Sequence, residues 1–152
     1  MKKKKFTKIR ENITEVEYQK LLIYLNGKED LTTNTKNNLR RTFILLYFTG
    51  MRVNEVKQLK VKDINTIFEK EELIIVTHKT RKERKLFFSK EAIKQIKKHF
   101  VFNVDSKDED FIITTKGNPL KTPNSSTFIA KVNSFIQEVL GHRYSSHSFR
   151  AG

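Results

Sequence analysis

Apolar positions in this chain recur mainly at helical spacing. The first series is Val16, Leu21, Leu22 and Leu25. It is preceded by Thr14-Glu15-Val16-Glu17, the Ser/Thr-x-x-Glu form of a capping box, and followed by Gly27, so a helix is predicted between them. A polar stretch over 28–34 leads to Leu39, Phe43, Ile44, Leu45, Leu46, Tyr47 and Phe48, and the run stops at Thr49-Gly50. That segment is apolar nearly all round, which predicts a buried central helix. Val53, Val56 and Leu59 continue at helical spacing.

The period then changes. Runs of β-branched and aromatic residues at 64–68, 73–77 and 86–88, separated by charged turns, predict three short antiparallel strands. Ser89-Lys90-Glu91 opens a helix whose apolar face is Ala92, Ile93, Ile96 and Phe100. A short run over 111–114 precedes the Gly117-Asn118-Pro119 turn, and a further helix is expected from about Ser125 to Leu140, ended by Gly141. Ser145-Ser146 forms an N-cap, and residues 147–152 read as the opening turns of one more helix. The pattern predicts a mostly helical α+β chain with a small three-stranded antiparallel sheet.

At 152 residues the chain suits one domain with a core of its own. Residues 1–12, which begin Met1-Lys2-Lys3-Lys4-Lys5, read as a frayed basic arm, and residues 13–152 as the folded domain. Cysteine is absent, which excludes a disulfide framework, a thiolate zinc site and a cysteine nucleophile, and fits an intracellular compartment. No apolar segment follows the N-terminal lysines and none is long enough to span a bilayer, so neither secretion nor membrane insertion is expected. Lys and Arg number 31 against 17 Asp and Glu, a formal charge of +14, which points to a polyanionic partner, nucleic acid first.

Three clusters can carry chemistry. In Thr49-Gly50-Met51-Arg52-Val53-Asn54-Glu55-Val56, Arg52 and Glu55 are three apart. On one helix they share a face, so the carboxylate is expected to hold the guanidinium in one rotamer. In His147-Ser148-Phe149-Arg150 the same spacing puts an imidazole and a second guanidinium on one face. Between two predicted strands lies His78-Lys79-Thr80-Arg81-Lys82-Glu83-Arg84-Lys85, the charged tip of a hairpin. From Lys79 to Lys98 there are nine Lys and Arg against two Glu, a surplus that a phosphate backbone would neutralise.

Taken together, these boxes resemble the catalytic domain of the tyrosine recombinase, or phage integrase, family in order and spacing. Arg52 and Arg150 stand 98 residues apart, and the resemblance covers almost the whole chain from about Thr14. It implies the DNA breaking and rejoining fold and site-specific recombination or integration through a 3′-phosphotyrosine, with no metal, ATP or other cofactor. By carry-over, Arg52 and Arg150 stabilise charge on the reacting phosphate, Lys79 protonates the leaving 5′-oxygen, His147 is a second acid/base group, and Glu55 orients Arg52. Arg81, Lys82, Arg84 and Lys85 bind DNA. Lys82 and Lys85 lie in the same hairpin, and a slip of a few residues would transfer the role of Lys79 to one of them. His78 and His99 receive no role.

Two features depart from the family pattern. Tyr18, Tyr24, Tyr47 and Tyr144 all precede Arg150 and match no nucleophile position, so the domain is expected to be incomplete at its C-terminus. The family's separate N-terminal DNA-clamping domain is not expected within these residues and would lie upstream of Met1. The full protein is expected to join double-stranded DNA as a synaptic tetramer, in the nucleoid-bearing cytoplasm or an organelle. The rivals are a type IB topoisomerase, a catalytically dead DNA-binding remnant, and a basic RNA-binding protein. Lys60 to Asp63, following the first arginine box, favours the integrase pattern over the topoisomerase.

Overall fold

A buried helix through the middle of the domain organises everything else. The computed structural model describes residues 11–77, 81–102 and 105–149. The elements in chain order are α1 (Glu15–Gly27), α2 (Thr33–Thr49), α3 (Val53–Lys57), α4 (Val61–Lys70), β1 (Glu72–Val76), β2 (Glu83–Phe87), α5 (Lys90–His99), α6 (Ser125–Leu140) and a 3-10 turn (Ser146–Phe149). On α2, Leu39, Phe43, Ile44, Leu45 and Leu46 are essentially solvent-free, and α1, α3, α5 and the 3-10 turn pack around it. Each such side chain contributes roughly 1.5–3 kcal/mol of hydrophobic stabilisation.

Local chemistry explains the boundaries. Glu17 accepts the Thr14 N–H at 2.9 Å, so the expected capping box forms. Thr32 Oγ1 accepts from the Thr35 N–H at the start of α2, and Ser89 Oγ from the Ala92 N–H at the start of α5. Gly50 ends α2 with φ 70°, a left-handed conformation that glycine adopts without strain. In α1 the buried face is Tyr18, Leu21 and Leu25, while Val16 points outward and is 71% exposed, so Tyr18 takes the place expected for Val16.

The sheet has two strands where three were expected. β1 and β2 are antiparallel, from Glu72 opposite Phe87 to Val76 opposite Glu83. Residues 64–68 belong to α4 instead. Asp63 Oδ2 accepts the Lys60 N–H at 2.8 Å and caps the helix, Thr66 Oγ1 donates to Lys62 O one turn back, and Val61, Ile64 and Ile67 face the core three residues apart. A strand would require alternation, and Asn65 and Thr66 break it.

The run at 111–114 forms no named strand, because side chains of α2 satisfy its backbone. Asn38 donates to Thr114 O at 2.8 Å and accepts from the Thr114 N–H at 3.2 Å, and Arg41 donates to Ile112 O at 2.8 Å. A buried backbone group must find some partner, and here the partners are amide and guanidinium groups. Further links are an isolated bridge between Lys60 and Phe111, bonds from the Ile112 N–H to Leu59 O and from the Phe111 N–H to Pro119 O, and the contacts of Asn34 with Thr114.

Candidate active site

Arg52 is placed by what flanks it. Thr49 Oγ1 donates to Leu45 O and accepts from the Met51 N–H, closing the end of α2, and Gly50 then reverses the chain. Met51 and Val53 are both buried, so the residue between them must face outward. Arg52 is the N-cap of α3, in extended conformation with φ −87° and ψ 154°. Its side chain is exposed, and no carboxylate lies within 4 Å of it among the described residues.

Glu55 does not hold the Arg52 guanidinium, contrary to the expectation from spacing. Its side chain is only 6% exposed. Oε1 accepts from the backbone N–H of Arg52 at 2.9 Å and from Arg84 Nη2 at 2.9 Å. The N-cap residue of a helix stands half outside it, so a carboxylate three residues on meets its backbone first. Glu55 therefore fixes where Arg52 begins and leaves its guanidinium without a carboxylate partner among the described residues.

That contact also revises the reading of Arg84 as one of the hairpin's outward cations. Along β2, Glu83, Lys85 and Phe87 face solvent, whereas Arg84 and Leu86 face in. The alternation of Glu83-Arg84-Lys85-Leu86-Phe87 carries that signal, since Leu86 names the inner face and Arg84 is two residues from it. Lys85 lies 3.7 Å from Glu72 across the hairpin, and its ammonium sits 5.8 Å from the Phe87 ring. Arg81 and Lys82 are exposed where the hairpin turns, with Arg81 at φ 53° donating its N–H to Thr77 O. Lys79 and His78 lie outside the described residues.

The last box is anchored by its alternate residues. Ser146, Ser148 and Phe149 are buried, and His147 is exposed. The Ser146 N–H donates to Asn133 Oδ1 at 2.8 Å, the Ser148 N–H to Ser145 O at 2.9 Å, and Ser148 O accepts from the Ile13 N–H at 3.2 Å. Phe149 stacks on Phe43 of the central helix with ring centroids 6.2 Å apart. Arg150 lies outside the described residues.

These elements meet around one concavity of about 670 Å³, whose walls include Thr49, Gly50, Arg84, Phe149 and Tyr47. The turn before Arg52, the inner face of β2 and the residue preceding Arg150 thus converge from distant parts of the chain. The tyrosines are accounted for structurally. Tyr18 is buried and stacked on Tyr47 at 4.0 Å, and burial pushes both phenols upward, away from the phenolate a nucleophile needs. Tyr24 donates to Glu138 at 2.6 Å, and Tyr144 is raised by burial as well. Among the described residues no group of three His, Cys, Asp or Glu is placed to hold a metal ion, and no helix is long and apolar enough to cross a membrane.

The family model described as "Phage integrase family" matches residues 11–152. Tyrosine recombinase XerH of Campylobacter jejuni is 30% identical over 118 residues, covering 76% of this chain and 32% of that protein. Among solved structures, XerA recombinase superposes with a TM-score of 0.64 at 15% identity, over 99% of this chain and 50% of that one. XerH bound to its difH substrate in a pre-cleavage complex gives 0.63 at 21%, over 96% and 42%. The Tn1549 transposon integrase in complex with a circular intermediate DNA gives 0.61 at 16%, over 99% and 53%. The chain thus spans about a third of its curated relative and about half or less of XerA and XerH.

Proposed function

Because the chain belongs to the phage integrase family, we propose that it is the greater part of the catalytic domain of a site-specific DNA recombinase, residues 13–152, preceded by a basic arm at 1–12. The substrate is duplex DNA, which XerH and the Tn1549 integrase hold in their solved complexes. The reaction breaks a strand by attack of a tyrosine on phosphorus, leaving a 3′-phosphotyrosine and a free 5′-hydroxyl, and a second 5′-hydroxyl later reverses the step.

The roles follow from charge. In-line attack builds negative charge on the non-bridging oxygens, which Arg52 and Arg150 receive as guanidinium donors. Lys79, from the hairpin tip, protonates the leaving oxygen, and His147 is the second acid/base group. Glu55 positions Arg52 through its backbone. Arg81, Lys82 and Lys85 neutralise phosphates, while Arg84 contributes charge from the inner face. None of the four tyrosines is the nucleophile; a further segment supplies it. The working assembly is a tetramer of the full-length protein on DNA, in the nucleoid or an organelle, and no cofactor takes part.

The observation that carries this reading is the concavity where the Gly50 turn, β2 and Phe149 meet. It supports a site in which a single phosphate lies within reach of both arginine boxes. The test joins the chain to the segment downstream of it at the source locus and incubates the product with nicked duplex carrying a candidate site. A denaturation-resistant protein–DNA adduct is expected, lost on changing the downstream tyrosine to Phe. Arg52→Ala should abolish the adduct while leaving most DNA binding. Duplex binding without any adduct would instead make this a DNA-binding remnant of a recombinase.

A further inference from the structure

Arg84 occupies a position that the strand pattern reserves for an apolar side chain. On β2 it faces inward with Leu86, while Glu83, Lys85 and Phe87 face solvent. A charge on the inner face of a strand is desolvated at a cost unless something nearby uses it. Glu55 meets part of that need, since its Oε1 accepts from Arg84 Nη2 at 2.9 Å. The same oxygen accepts the Arg52 N–H at 2.9 Å. Two nitrogens bonded to one oxygen are neighbours, so the Arg84 guanidinium sits beside the backbone of the first arginine box.

The pair with Glu55 leaves the guanidinium only half used. Nε and Nη2 lie along one edge of the planar fork, and that edge is turned inward: Nη2 is on Glu55, and Nε is buried with no partner among the described residues. The Arg84 side chain is 35% exposed against 6% for Glu55, which leaves the Nη1 end of the fork as the donor that faces outward. It faces the concavity of about 670 Å³, and of the described residues lining that space Arg84 alone carries a charge. The rest of the wall is neutral and largely aromatic, with Tyr47, Phe48 and Phe149. A cation held by a buried carboxylate in such a wall is fixed in direction before any ligand arrives, and poor screening strengthens its hold on an anion. A lysine would serve Glu55 as a point charge, whereas a guanidinium has a second edge to offer.

We propose that Arg84 is a third guanidinium contact to the reacting phosphate, donating from its Nη1 end to a non-bridging oxygen while Glu55 holds the other edge. It touches the substrate at the site of reaction, whereas Arg81, Lys82 and Lys85 neutralise the backbone around it. One carboxylate oxygen thereby places both the backbone of Arg52 and the side chain of Arg84. This rests on the DNA reading above.

The test has two arms. In the first, the 152-residue chain is titrated with inorganic phosphate at constant ionic strength and followed by amide NMR. The amides of Gly50 and Phe149, which line the concavity, should shift. Arg84→Met should weaken phosphate binding by about tenfold, the worth of one hydrogen bond to a charged group, and Arg84→Lys should fall between. Lys20→Gln, which removes an exposed charge on α1, should stay within about twofold. If Arg84→Met fails to fold, Arg84→Met combined with Glu55→Gln replaces it, because that variant leaves neither charge buried alone. An arginine that only balanced Glu55 could be removed together with it at no loss of phosphate. Equal phosphate affinity with and without Arg84, or no shift at either amide, overturns the proposal.

In the second arm, the chain joined to its downstream segment is mixed in excess with nicked duplex, and the single-turnover rate of adduct formation is read apart from duplex affinity. Arg84→Lys keeps the charge but should slow the adduct by about 100-fold, with affinity within about threefold of the unaltered protein. A merely structural role would lower the fraction of protein that reacts and leave the rate of the remainder unchanged. An unchanged rate therefore overturns the proposal, and if phosphate binding still depends on Arg84 the site takes free phosphate instead. If the unaltered protein forms no adduct, it is the DNA reading that fails, and the phosphate titration decides the Arg84 site alone.

Discussion

Replacing Arg84 by Met removes the counter-charge of a carboxylate that is only 6% exposed. Removing one member of a buried ion pair costs about 3–5 kcal/mol, because the other charge is left desolvated. The Arg84 side chain is 35% exposed, so water screens part of the pair. The Arg52 N–H remains as a second donor to the same oxygen. A loss of about 2–3 kcal/mol is therefore expected, which in a domain of this size corresponds to a melting temperature lower by roughly 4–12 °C. Urea unfolding of four proteins measures it: unaltered, Arg84→Met, Glu55→Gln, and the double variant. The double variant should be more stable than the sum of the single losses predicts, with a coupling of about 1–3 kcal/mol. Arg84→Lys should recover only part of the loss, since an ammonium keeps the charge without the planar fork. Arg81→Gln, at an exposed position, should stay within about 0.5 kcal/mol of the unaltered chain. Strict additivity, or an Arg84→Met midpoint equal to that of Arg81→Gln, would refute the assignment of Arg84 as the partner of Glu55.

Tyr18→Phe removes a buried hydroxyl that has no hydrogen-bond partner among the described residues while keeping the stack on Tyr47; it should be neutral or stabilising by up to about 1 kcal/mol, and a lowered urea midpoint would show that the hydroxyl is bonded in solution. Among the described residues a Cβ at Gly50 meets nothing within 4 Å, so Gly50→Ala should cost about 1 kcal/mol through the left-handed backbone; Gly50→Asn should cost less, and equal losses would point to a packing defect instead. Hydrogen bonds from Lys60 and Lys62 hold the exposed Glu109 carboxyl at about 2, below its ordinary 4.5. A depressed carboxylate pKa stabilises the fold above the ordinary value and loses that contribution as pH falls through the folded one. Glu109 should therefore titrate by carboxyl NMR near 2, and Glu109→Gln should flatten part of the acid-side fall in stability. A midpoint near 4.5 would show that the two lysines do not hold it in solution.

Much of this protein is local and was legible in the sequence. The capping box at Thr14, the stop at Gly50, the apolar face of α5 and the extent of α6 all follow from side chains acting on backbone within a turn or two. The three motif boxes stand in the sequence as written, and with them the family. At residues 64–68 two local signals compete: β-branched composition favours a strand, while apolar positions at 61, 64 and 67 count in threes, and the helical spacing prevails.

What tertiary structure alone decided is who pairs with whom. Spacing put Glu55 and Arg52 on one face, yet the buried carboxylate took its cation from Arg84, which folding brings from a strand 29 residues away. Lys57 Nζ likewise donates to Ser125 Oγ at 2.9 Å across 68 residues, and nothing in either neighbourhood announces the other. Helix spacing and caps are short-range and repeat along the chain, so sequence displays them. A buried charge must instead be met by whatever group the packing delivers, and that depends on how the hairpin and α6 close around the central helix.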